Sequence, residues 1–107
     1  KVKTFPLIKQ FWDMIPETTD VLITHGPPYG ILDELLFVDG TPKGVYVGCE
    51  ELAKQIHERI RPDIHIFGHI HCGYGQTHRD GTSYYNAAVC DEMYCANNAV
   101  TIIKYER

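Results

Sequence analysis

The chain has a single serine, Ser83, and it does not sit in a Gly-x-Ser-x-Gly element. The strand-to-helix elbow of a serine hydrolase is therefore absent. No apolar run approaches the roughly 20 residues that a membrane span needs, so this segment holds no such span. Lys and Arg are few and scattered, and the net charge is −4. A dedicated nucleic-acid binder would show a basic stripe to neutralise phosphates, so the charge pattern argues against that class. A small phosphate-bearing ligand stays open, because a bound metal supplies positive charge that a side-chain count omits. Dense cysteine pairing is missing too: Cys49, Cys72, Cys90 and Cys95 form no disulfide framework, and only Cys90 and Cys95 approach a zinc-type spacing. Free thiols in a reducing compartment, the cytoplasm, are expected. No cysteine is followed six residues later by arginine, which removes a cysteine phosphatase. Cys49, at a predicted helix start, is the one thiol a helix dipole could activate; packing at the helix N-terminus is its simpler role.

What is present is enough for one modest core: 107 residues, 44% of them hydrophobic, without repeats or low-complexity tracts. Phe5, Ile8, Phe11 and Trp12 recur at helical spacing, predicting a helix from Phe5 to Met14 that Pro16 stops. Asp20 to Thr24 reads as a short apolar strand, and Gly26-Pro27-Pro28-Tyr29-Gly30 prevents its continuation. Leu52, Ile56 and Ile60 mark one face of a helix from Cys49 to Ile60, ended by Pro62, before a strand from Asp63 to Gly68. That β-α-β unit should hold parallel strands. The Asp80-Gly81 turn predicts a hairpin joining Tyr74–His78 to Ser83–Ala87, and β-branched residues predict a last strand from Ala99 to Tyr105. Gly26 to Gly48 is left as a long loop. Two roles suit it: an active-site rim carrying Tyr29, Asp33, Glu34 and Tyr46, or an insertion whose Leu35-Leu36-Phe37-Val38 patches onto the body.

His25 closes the first strand, and His69 and His71 follow the second. Neutral imidazole binds divalent metals well, and ligand-binding residues of α/β proteins gather where parallel strands end. One histidine in such a place is ordinarily a satisfied structural residue. Three of them on one expected rim point to metal ligation. Two apart in an extended segment, His69 and His71 would face the same side. His57, His65 and His78 are read as helix-surface, strand-face and hairpin-face residues, outside the site.

The segments THGPP and GHIH, with the intervening VGCEELAKQIHERIRPDIHIFG and the following GYG and YYNAA, resemble calcineurin-like metallophosphoesterases from about Trp12 to Ile103. More narrowly, the chain resembles small metallophosphoesterase-domain proteins related to class III cyclic-nucleotide phosphodiesterases. The resemblance implies an α/β fold, the C-terminal half of a four-layer α/β/β/α sandwich. It also implies hydrolysis of a phosphoester, most plainly a phosphodiester, by a hydroxide activated between two divalent ions (Mn, Fe, Zn or Mg). By the same resemblance His25 and His69 match ligands of one metal and His71 a ligand of the other.

The family completes its site with D-x-H, G-D and G-N-H-D/E elements, and none precedes His25 here. Residues 1–107 are accordingly expected to be the C-terminal part of one domain, inactive alone. Its partners would be the N-terminal half, in cis or from another chain, and a small phosphoester or nucleotide-like substrate. The residues acting directly in catalysis would lie in that other half. An alternative is a non-catalytic half-domain holding zinc through His25, His69, His71 and Cys72. Cys72 stands where the group often has an acidic residue.

Overall fold

The computed structural model describes residues 5–91 and 95–106. Helix α1 (Phe5–Trp12) leads through a turn to strand β1 (Val21–Ile23). A hairpin of β2 (Glu34–Leu36) and β3 (Pro42–Tyr46) follows, then helix α2 (Glu50–Gln55), strand β4 (Ile64–Phe67), and the hairpin of β5 (Gly75–Arg79) and β6 (Thr82–Asn86). One sheet runs in the order β1-β4-β6-β5, with β1, β4 and β6 parallel and β5 antiparallel to β6. The architecture is thus mixed α/β, as expected. β6, read from sequence only as a hairpin strand, also extends the parallel ladder.

Cys49 is the N-cap of α2: its Sγ accepts the Leu52 N–H, and it also takes the Trp12 indole N–H at 3.4 Å. From Ile56 to Ile60 the helix widens to π-type winding, and the Arg61 N–H closes it on Ile56 O at 2.9 Å. Pro62 disfavours the α conformation in its predecessor, and Arg61 escapes to φ 47°. The apolar face of this helix lies on the sheet. Leu52 and Ile56 are 1% and 2% exposed and pack with Leu22, Ile31, Phe67 and Tyr84, flanked by Trp12 and Ile15. Each such burial contributes roughly 1.5–3 kcal/mol. Arg59 joins α1 to this layer by donating to Trp12 O and Ile15 O at 3.0 and 2.8 Å.

Two expectations are corrected. The loop from Gly26 to Gly48 contains the β2–β3 hairpin, turned at Asp39-Gly40, where Asp39 Oδ1 accepts the Thr41 N–H and hydroxyl. Its Phe37 and Val38 face solvent, so the apolar quartet does not cover the body as a unit. Ala99 to Tyr105 is not a strand; its β-branched residues meet no partner backbone in the described sheet, and Val100 and Ile102 are exposed. The Tyr105 hydroxyl instead ties the segment to Asp63 Oδ2 at 2.7 Å. The β5–β6 hairpin forms as predicted, Asp80 and Gly81 both adopting positive φ.

Leu52→Ala should destabilise the protein by about 2–5 kcal/mol through cavity formation. Val38→Ala, at a fully exposed position, should stay within about 0.5 kcal/mol. Urea unfolding of both variants checks the assignment of the core.

Candidate metal centre at the strand ends

The register Val21↔Ile64, Leu22↔His65, Ile23↔Ile66 sets the ends of β1 and β4 side by side. Two further bonds carry the pairing past the strands: Thr24 N–H to Ile66 O at 3.0 Å, and Gly68 N–H to His25 O at 3.0 Å. His25 and His69 are thereby brought together, their ring centroids 4.5 Å apart and tilted by 39°. Both are exposed, and the His69 ring lies over Gly26.

The segment carrying His69 and His71 is not extended, contrary to the reading of their two-residue spacing. His69 sits at φ 69°, and the Ile70 N–H reaches back to Gly68 O at 2.7 Å, closing a γ-turn around it. A non-glycine residue held this way costs on the order of 1–3 kcal/mol and persists only where its surroundings over-determine it. Here the surroundings include Asn86, wholly buried at the end of β6. Its Nδ2 donates to Ile70 O at 2.9 Å and Leu32 O at 3.1 Å, while its Oδ1 accepts from Ala88 N. His71 opens a 3₁₀ turn (His71–Gly73), and its Nδ1 lies 3.0 Å from Asp91 O. A carbonyl can only accept, so Nδ1 carries the proton in the neutral ring and Nε2 bears the lone pair. Metal-binding histidines are commonly oriented this way.

Beneath the rim, His65 is completely buried, more deeply than its reading as a strand-face residue implied. The Thr24 hydroxyl donates to Gly26 O at 2.8 Å, so it accepts from His65 Nε2 at 2.9 Å. His65 Nδ1 is then a bare acceptor, with no partner among the described residues, beside Phe67 and Tyr84. Burial pulls its pKa down to about 4. Sequence reasoning assigned no role to Asn86 or to the Thr24–His65 pair. The only signal was a polar residue at an apolar strand's core position.

The donor set has the right chemistry for divalent metal: two adjacent exposed imidazoles, and a third whose tautomer is set by a carbonyl. It is also incomplete. Among the described residues no three His, Cys, Asp or Glu side chains are close enough to hold one ion. Cys72, the fourth ligand of the zinc alternative, donates its thiol to Glu34 O at 3.4 Å. Cys49, Cys72 and Cys90 form no disulfide, and no described helix is long and apolar enough to cross a membrane.

No family model matches the chain. It is 45% identical over 93 residues to metallophosphoesterase domain-containing protein 1 of Homo sapiens, covering 86% of the chain and 27% of that protein. The same figures hold for the Mus musculus protein of that name. UPF0046 protein T07D4.2 of Caenorhabditis elegans is 42% identical over 91 residues, covering 85% of the chain and 22% of that protein. The chain spans about a quarter of the length of the curated relatives it matches. By this identity over most of its own residues, it is related to the metallophosphoesterase-domain proteins.

The depressed pKa of His65 fixes the sign of one pH effect. Between about pH 6.5 and 4 the unfolded chain binds a proton that the folded one does not. Its stabilising contribution is fully present above pH 6.5 and is lost as the pH falls towards 4. His65→Gln should flatten that part of the stability–pH curve, as read by denaturant unfolding at pH 7, 5.5 and 4.5.

Proposed function

We propose that the chain supplies the His25, His69 and His71 ligands of a metal-dependent phosphoesterase, most specifically a phosphodiesterase, completed by a preceding half of the same domain. The observation that carries this reading is the β1–β4 pairing, which sets the His25 and His69 rings 4.5 Å apart on one accessible rim. Divalent ions, when bound, would supply Lewis acidity towards phosphate oxygens and a nucleophile available near neutral pH.

In this reading His25 and His69 serve one ion and His71 the other. The His71 Nδ1 contact with Asp91 O holds its ring in the tautomer that ligation needs. The bridging carboxylate and the leaving-group acid would come from the preceding half, because the described rim offers imidazole alone. Val21 and Ile23 are 38% and 71% exposed on the edge strand, an apolar surface suited to cover by the second sheet of a four-layer sandwich. The free thiols of Cys49, Cys72 and Cys90 fit a cytoplasmic setting.

The full-length protein, stripped with chelator, should regain hydrolysis of bis-p-nitrophenyl phosphate on addition of manganese. His71→Ala should lower turnover by at least about 100-fold through loss of a ligand, with little change in melting temperature because no core cavity opens. His25→Ala and His69→Ala should behave alike, and residues 1–107 alone should show no metal-stimulated hydrolysis. Unchanged turnover in His71→Ala would sink the assignment, whereas bound zinc without hydrolysis in the full-length protein would identify the non-catalytic module.

A further inference from the structure

An open cavity of about 540 Å³ lies beside the histidine rim, between the β2–β3 hairpin, the 3₁₀ turn and β5. Tyr29, Tyr46, Tyr74, Asp33, Glu34 and Arg79 are among its lining residues. Tyr29 and Tyr46 meet edge to face, their centroids 6.0 Å apart at 62°, and form a corner. The Tyr74 ring is steadied by its hydroxyl, which donates to Ala99 O at 2.6 Å. All three remain between 36% and 43% exposed, so their rings are available to a ligand.

Asp33 makes this corner a built feature. Its Oδ2 accepts the N–H of Gly30, next to Tyr29, at 2.9 Å, and that of Gly48, two residues past Tyr46, at 2.8 Å. Its carbonyl also takes the Val47 N–H at 3.3 Å. One carboxylate therefore clamps the two segments that carry the tyrosine pair. Asp33 is 1% exposed, and its Oδ1 has no hydrogen-bond partner among the described residues. Neither Asp33 nor Glu34 forms an ion pair with a base among the described residues. Negative charge thus underlies and borders a corner of electron-rich ring faces.

A cation in that corner would lie within the roughly 6 Å of both ring centroids over which cation–π attraction acts. The field of Asp33 and Glu34 would add to it. A bare anion would meet the two carboxylates, and a neutral ring would leave the Asp33 charge unanswered. Arg79 lines the same cavity from β5 and opposes a cation on its side, yet it suits an anion placed next to one. We propose that the cavity is a subsite for an alkylammonium group carried by a phosphoester, a phosphocholine-type zwitterion whose phosphate faces Arg79. Only the phosphate half of this assignment rests on the phosphoesterase reading.

The test is calorimetric titration of chelator-treated full-length protein with phosphocholine. Saturable binding is expected, weakened roughly tenfold in Tyr46→Leu and retained in Tyr46→Phe, which keeps the ring face. Choline should bind more weakly than phosphocholine, and inorganic phosphate should not displace it at equal concentration. No saturable binding, equal effects of the Leu and Phe replacements, or displacement by phosphate as effective as by phosphocholine would overturn the proposal. A soluble ligand predicts binding of glycerophosphocholine without cosedimentation on phosphatidylcholine vesicles; cosedimentation without glycerophosphocholine binding would overturn it. Hydrolysis of bis-p-nitrophenyl phosphate without phosphocholine binding defeats the subsite alone. Binding without hydrolysis defeats the phosphoesterase reading alone.

Discussion

The parallel pairing of β1 with β4 is the constraint on which the rest of the site depends. Parallel neighbours end on the same edge of a sheet, and a one-residue slip would send every side chain of β1 to the other face. The observed register seats Leu22 against the helix layer beside His65 and sends the chain onward to His25 at the rim. Because α2 buries Leu52 and Ile56 against this same sheet, the hydrophobic core fixes the register. The register in turn fixes the distance between histidines that are far apart in sequence.

Around that frame the rim breaks the rules that the core obeys. His69 occupies a left-handed conformation usual for glycine, while Gly68 precedes it. Wholly buried Asn86 spends its amide on two loop carbonyls, and His65 keeps a bare nitrogen in the core. The first and last of these oppose stability locally, and all three act on a segment bearing a rim histidine. Asn86 holds Ile70, between His69 and His71; Thr24, bonded to His65, holds Gly26, next to His25. Departures from local consistency gathered at one edge are what a functional surface on an otherwise ordinary fold produces.

Periodicity and turn chemistry made the larger elements legible. Leu52, Ile56 and Ile60 announced the helix, Pro62 its end, and Asp80-Gly81 the β5–β6 hairpin. Asp39-Gly40 is the same turn signal, yet the β2–β3 hairpin it closes was hidden. Its strands are short, β3 is exposed throughout, and neither alternates apolar with polar residues. Val100 to Ile103 carried strand propensity without a strand, since propensity needs a backbone partner to become a ladder. The positions of His25, His69 and His71 at strand ends could be read from sequence. The γ-turn at His69 and the carbonyl contact of His71 could not, because residues distant in the chain, Asn86 and Asp91, hold the segment that carries them.

Among the described residues, the buried carboxyl and imidazole groups with an unsatisfied atom, Asp33 and His65, bear on different parts of one edge. His65 can shed its charge: burial lowers its pKa, so at neutral pH it costs only the unmet acceptor. Asp33 answers burial differently, spending one oxygen on two backbone N–H donors that hold the tyrosine corner together. The imidazole is thus arranged as a neutral strut under the histidine rim, and the carboxylate as both clamp and field source beside it. On the function and subsite proposed above, that difference separates the part of the edge that would face metal from the part suited to the organic portion of a ligand.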